Sequence, residues 1–130
     1  MSALTRGQQI GRVLAAGLVC GALVWSASPL VTGVREPFDS DSLYYPAAMF
    51  LAGVLASLPA PRFWWLAVVA VFLGEHLYGF IAYPDQRAWL LFGLIINLII
   101  PTWWAAALGA LLVFAVYRLR RRTPPPAPDR

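Results

Sequence analysis

Glu75 and His76 are the residues best equipped for chemistry, and they stand side by side in VFLGEHLYGF, a stretch otherwise suited to a membrane interior. A carboxyl group at the centre of an apolar helix costs about 3 kcal/mol to insert, so it marks either a proton or cation site or a hydrogen-bonded tie between helices. His76 is the only histidine. In an electron-transfer subunit it could contact a quinone or ligate a haem, but a second axial histidine would have to come from another chain. Its plainer role is a hydrogen bond to a neighbour or to the headgroups.

Helical residues follow one another at about 100°, which puts Glu75 beside the face of Ala67, Ala70 and Gly74 and directs His76 away from it. On that geometry the two do not share a metal. Asn97 is the third candidate. Counted along their helices, Glu75 and Asn97 lie about 12 and 13 Å from the same membrane surface. This predicts a Glu75–Asn97 pair, joined by the hydroxyl of Ser26 or Ser28, and the structural tie is the preferred role.

Other chemistries are excluded by what is missing. There is no phosphate-binding loop, nucleophile elbow, His-x-x-x-His spacing or pair of carboxylates on one helix face, so no enzyme is expected. Asp39 and Asp41 are too few for an oxygen-coordinated calcium ion. Cys20, the sole cysteine, cannot form an internal disulfide and reads as a small apolar packing residue. No cofactor and no metal are expected.

Composition points to the bilayer. Of the 130 residues, 60% are hydrophobic, and the mean hydropathy is +0.67. The net charge of +4 sets 10 arginines against 6 acidic residues, since lysine is absent. These arginines punctuate long apolar runs instead of gathering on one polar face, which argues for membrane topology and against nucleic acid. The expected fold is all-α: a multi-pass membrane protein whose four helices form an antiparallel bundle. After a cytoplasmic segment (1–12), the membrane domain (13–117) has spans at about 13–34, 43–61, 63–83 and 88–117. The first span resembles a signal peptide with WSAS near a cleavage point, but its length favours a retained helix. As one straight helix, the fourth would reach about 45 Å, against a hydrocarbon core of about 30 Å, so a kink at Pro101 is expected.

Orientation follows from the arginines. With the N-terminus inside, Arg6, Arg12, Arg62, Arg118, Arg120, Arg121, Arg122 and Arg130 are cytoplasmic, and only Arg35 and Arg87 are outside. The expected location is the cell (inner) membrane with both termini cytoplasmic. In the tail (118–130), Arg118, Arg120, Arg121 and Arg122 should meet anionic headgroups, and the prolines after them should stay extended. Trp64, Trp65 and Trp89 read as interface anchors.

Lipid removes the hydrophobic drive for helix association, so small residues must make the contacts. Gly17 and Gly21, Ala48, Ala52 and Ala56, Gly74, and Ala105 and Gly109 supply such faces. Some are expected to meet other subunits or a second copy. Together these features suggest a non-enzymatic accessory or scaffold subunit acting through helix packing, with membrane lipid and other membrane subunits as partners. The alternatives are a homo-oligomeric transporter or channel using Glu75, and an electron-transfer subunit using His76.

Overall fold

The computed structural model describes residues 4–37, 42–99 and 102–122. They form five α-helices: α1 (Arg6–Thr32), α2 (Tyr44–Ser57), α3 (Trp64–Ala82), α4 (Arg87–Ile99) and α5 (Trp104–Arg122). No strand occurs among the described residues. Asp39, Asp41, Pro101 and the tail beyond Arg122 lie outside them.

Local sequence sets each boundary. α1 starts well before the apolar run because Thr5 and Gln8 form a capping box, each side chain accepting from the other's backbone N–H. Gly33, at φ 76°, ends the helix in the left-handed conformation that a side chain would strain. Thr5→Ala should cost about 1 kcal/mol of local stability. Hydrogen exchange should quicken in the first turn of α1 and stay unchanged at its buried centre.

The second expected span is shortened. α2 stops at Ser57 because Pro59 and Pro61 cannot continue it, and Pro61 instead opens a 3-10 turn leading into α3. The fourth run also departs from expectation. It forms two helices, α4 and α5, whose directions differ by 54° across a short break. The expected kink residue, Pro101, lies in the part not described. α5 continues to Arg122, so Arg118, Arg120, Arg121 and Arg122 lie in its last turns. Cations at a helix C-terminus are favourable, and Arg118 and Arg121 cover the rings of Phe114 and Tyr117.

α1 and α3 run in the same direction and make the broadest contact, Gly17 facing Ala70 while Trp25 reaches Gly79. α2 and α5 pack on each other, Gly53 against Ala106 and Gly109 against Phe50. The core is built from small residues around a few larger ones: Ala52, Ala56, Ala67 and Ala106 surround Met49 and Val71. Cys20 is half-buried against it.

Polarity is inverted relative to a protein dissolved in water. Glu75 and Ser57 are 0% exposed, whereas Leu30 and Leu43 are 89% and 82% exposed. Large exposed apolar residues coat every helix, an arrangement that suits surrounding hydrocarbon. α1 and the α3 region (Pro61–Ala82) are each long and apolar enough to cross a membrane, and the bent α4–α5 pair makes a third if counted as one broken span. α2 is shorter, at 14 residues.

Candidate functional site

Five polar side chains meet where α3 ends and α2 begins. Glu75 comes from the second half of α3, where the close approach of Gly21 and Gly74 draws α1 against its backbone. Tyr45, in the first turn of α2, donates from Oη to Glu75 Oε2 at 3.1 Å and lies 3.4 Å from Oε1. His76 Nδ1 is 3.5 Å from Glu75 Oε1.

The histidine continues the chain of contacts. Its Nδ1–H donates to the Phe72 carbonyl at 2.8 Å, leaving Nε2 to accept from Asn97 Nδ2 at 3.3 Å. Asn97 Oδ1 in turn accepts from Thr102 Oγ1 at 2.9 Å. With one histidine tautomer, the Tyr45, His76 and Thr102 donors and one Asn97 N–H each meet an acceptor. The network ties α2, α3 and α4 to the segment that leads into α5.

The predicted site residues are therefore close together but partnered differently. Glu75 bonds Tyr45 and not Asn97, while Asn97 bonds His76. His76 does point away from the face packed on α1, yet α4 covers that second face, so the ring is only 6% exposed. Neither serine joins the cluster: Ser26 bonds the Leu23 carbonyl and Ser28 the Val34 carbonyl. Tyr45 and Thr102 are the residues that sequence reasoning missed. Nothing in the YYP run at the start of α2 marks Tyr45 as inward-facing, and only the height at which α2 begins brings its hydroxyl to Glu75.

Hydrogen bonds hold Glu75, because no arginine among the described residues pairs with it. Arg35 lies over the Tyr83 ring, and Arg87 donates to the Phe80 carbonyl. Both ring nitrogens of His76 are engaged, so this arrangement does not present a lone pair to a haem iron. No group of three His, Cys, Asp or Glu side chains converges among the described residues.

The small-residue faces are occupied within the chain. A Cβ on Gly21 would strike the Val71 carbonyl, one on Gly74 the Leu18 carbonyl, and one on Gly109 the Phe50 carbonyl. Gly17 faces Ala70, Ala52, Ala56 and Ala105 are buried, and Ala48 is packed against the core. These faces join the chain's own helices.

α4 is held most lightly. Only Leu90 and Asn97 are buried on it, Leu90 lying against Gly79. Asn97→Leu should therefore cost about 1 kcal/mol, in line with other interhelical polar links in membranes. Hydrogen exchange should rise across α4 while α1 and α3 keep their protection. A cleft of about 510 Å³ opens between α4 and the ends of α1 and α3, with His76, Asn97 and Thr102 on its wall. No family model, curated protein or solved structure matches this chain.

Proposed function

We propose that this chain is a non-enzymatic accessory or scaffold subunit of a larger membrane assembly. It crosses the cell's inner membrane four times, with α2 as a short span, α4 and α5 as one broken span, and both termini cytoplasmic. Eight arginines on the inner side against two outside support that orientation.

The observation that carries the proposal is the state of α4. Its Trp89, Phe92, Leu98 and Ile99 are exposed, and its own chain buries only two of its residues. A helix so lightly held presents a broad apolar face to another membrane subunit. The polar cluster supports the non-enzymatic part, because its groups are spent on one another across the helices.

The test is purification in mild detergent with native mass, combined with a photo-crosslinking residue at position 92. A foreign subunit in fixed stoichiometry, crosslinked through that position, is the expected result. A species made only of this chain, with no foreign crosslink, overturns the proposal.

One observation favours a second function. The cleft reaches His76, Asn97 and Thr102, and His76 stands between the cleft and Glu75. A transporter or channel that moves a proton or cation through Glu75 would use this access. It predicts that Glu75→Gln abolishes flux in proteoliposomes. Unchanged flux in that variant removes this reading.

A further inference from the structure

We propose that a groove between α3, the end of α4 and the start of α5 holds one acyl chain of an anionic phospholipid, whose phosphate is bound by Arg62 and Arg118. The inference rests on the membrane placement of the helices and is independent of the accessory role. Trp65, Val69 and Phe72 form one stripe of α3 at helical spacing. Leu98 and Trp103 lie on the far side, where α4 gives way to α5. Every side chain lining the groove is apolar or aromatic, and its volume is about 500 Å³. Trp65, Val69 and Leu98 are exposed, so the groove is open to the surroundings of the bundle. From Trp64 to Phe72 it extends about 12 Å along α3. One leaflet's share of the hydrocarbon core is about 15 Å, so the groove suits a single chain.

The two arginines set the chemistry at its mouth. Arg62 stands just before Trp64, in the 3-10 turn that packs on α5. The Trp64 and Phe114 rings are 6.4 Å apart, and the Arg118 guanidinium lies 5.8 Å from the Phe114 centroid, which brings Arg118 to the same end. Arg62 is held in a similar way over Phe63, at 4.7 Å. Such stacking engages the face of a guanidinium and leaves its N–H edge for a phosphate. The described carboxyl groups lie elsewhere: Glu36 and Asp85 come after the C-terminal ends of α1 and α3, and Glu75 is buried within the bundle. A second copy inserted in the same direction would bring the same arginines to this end, so like charges oppose that occupant. An anionic headgroup complements them.

The test uses the full chain in phosphatidylcholine nanodiscs, with tryptophan fluorescence quenched by lipids brominated on an acyl chain. Trp64, Trp65 and Trp103 report on the groove. Brominated phosphatidylglycerol should quench to a plateau, with its half-point at a mole fraction about tenfold below that of brominated phosphatidylcholine. Arg62→Gln combined with Arg118→Gln should bring the two curves together, with helical content unchanged. Arg6→Gln combined with Arg12→Gln, which removes the same charge from α1, should leave them apart. Val69→Phe fills the groove from its open side at unchanged charge and should also weaken the anionic lipid.

Equal quenching by the two brominated lipids in the unaltered protein overturns the proposal, and that comparison needs no variant to fold. A preference that survives in the Arg62 and Arg118 double variant overturns it as well. Equal loss in the α1 pair reduces the preference to the diffuse field of a basic surface, and an undiminished preference in Val69→Phe leaves the acyl chain outside the groove. Either result removes the site. A chain that never co-elutes with the discs instead removes the membrane placement itself.

Discussion

Gly21→Leu should leave α1 unable to dock on α3, lowering stability by about 3 kcal/mol or more. Even the first carbon of a side chain at this position would strike the Val71 carbonyl oxygen and lie 2.7 Å from the Glu75 nitrogen and 2.9 Å from the Val71 carbonyl carbon. Overpacking commonly costs about 1–3 kcal/mol when side chains can move aside. Here the obstacle is backbone, which has no rotamer to adopt, so the helices must separate. Gly17 and Gly74 lie on the same interface and make similar approaches, to Ala70 and to the Leu18 backbone. Separation at Gly21 therefore loosens all three contacts together. The loss should appear as unfolding at a lower sodium dodecyl sulfate fraction in mixed micelles. Gly93→Ala is the control: a Cβ there meets nothing within 4 Å, and alanine is the better helix former by about 1 kcal/mol. It should be neutral or slightly stabilising. Unfolding of Gly21→Leu at the parent's midpoint would contradict the α1–α3 packing.

These glycines also show how much of the fold was legible in the sequence. Small residues four apart must share a helix face, so Gly17 with Gly21 on α1, and the Gly74 side of α3, marked packing surfaces before any partner was known. Spacing along one helix says nothing about which other helix fills the groove. The sequence therefore left open whether the partner was internal, and the structure supplies α3 for α1 and α5 for α2. The polar cluster was hidden for a related reason. The depths of Glu75 and Asn97 were estimated from their own helix ends, yet pairing depends on axial offset and on what covers each face. α4 leans across the His76 side of α3, and Asn97 meets the imidazole first. α2 begins low enough for Tyr45 to reach the carboxyl. Elements were easier to read than joints. Charges delimited the apolar runs, but the length of α2 turned on two prolines, and the break between α4 and α5 divided a run that hydropathy alone reads as continuous.

Glu75→Ala should destabilise the bundle by about 2–4 kcal/mol, while Glu75→Gln stays within about 1 kcal/mol of the parent. The carboxyl group is 0% exposed, so removing it leaves a cavity between α2 and α3 and strips the Tyr45 hydroxyl of its acceptor. Glutamine keeps the volume and one carbonyl oxygen for that hydroxyl. Tyr45→Phe alone should cost about 1 kcal/mol. Combined with Glu75→Ala it should add less than its separate effect, because the contact is already gone. The sign of the alanine effect separates a tie between helices from a functional acid. A carboxyl group kept in the membrane for function, with its hydrogen bonds incidental, carries an insertion cost of about 3 kcal/mol that alanine removes. Alanine would then stabilise the protein, and both alanine and glutamine would abolish flux. If the carboxyl group joins α2 to α3, alanine destabilises, glutamine is tolerated, and the double variant shows that the Tyr45 hydroxyl is the other half of the joint.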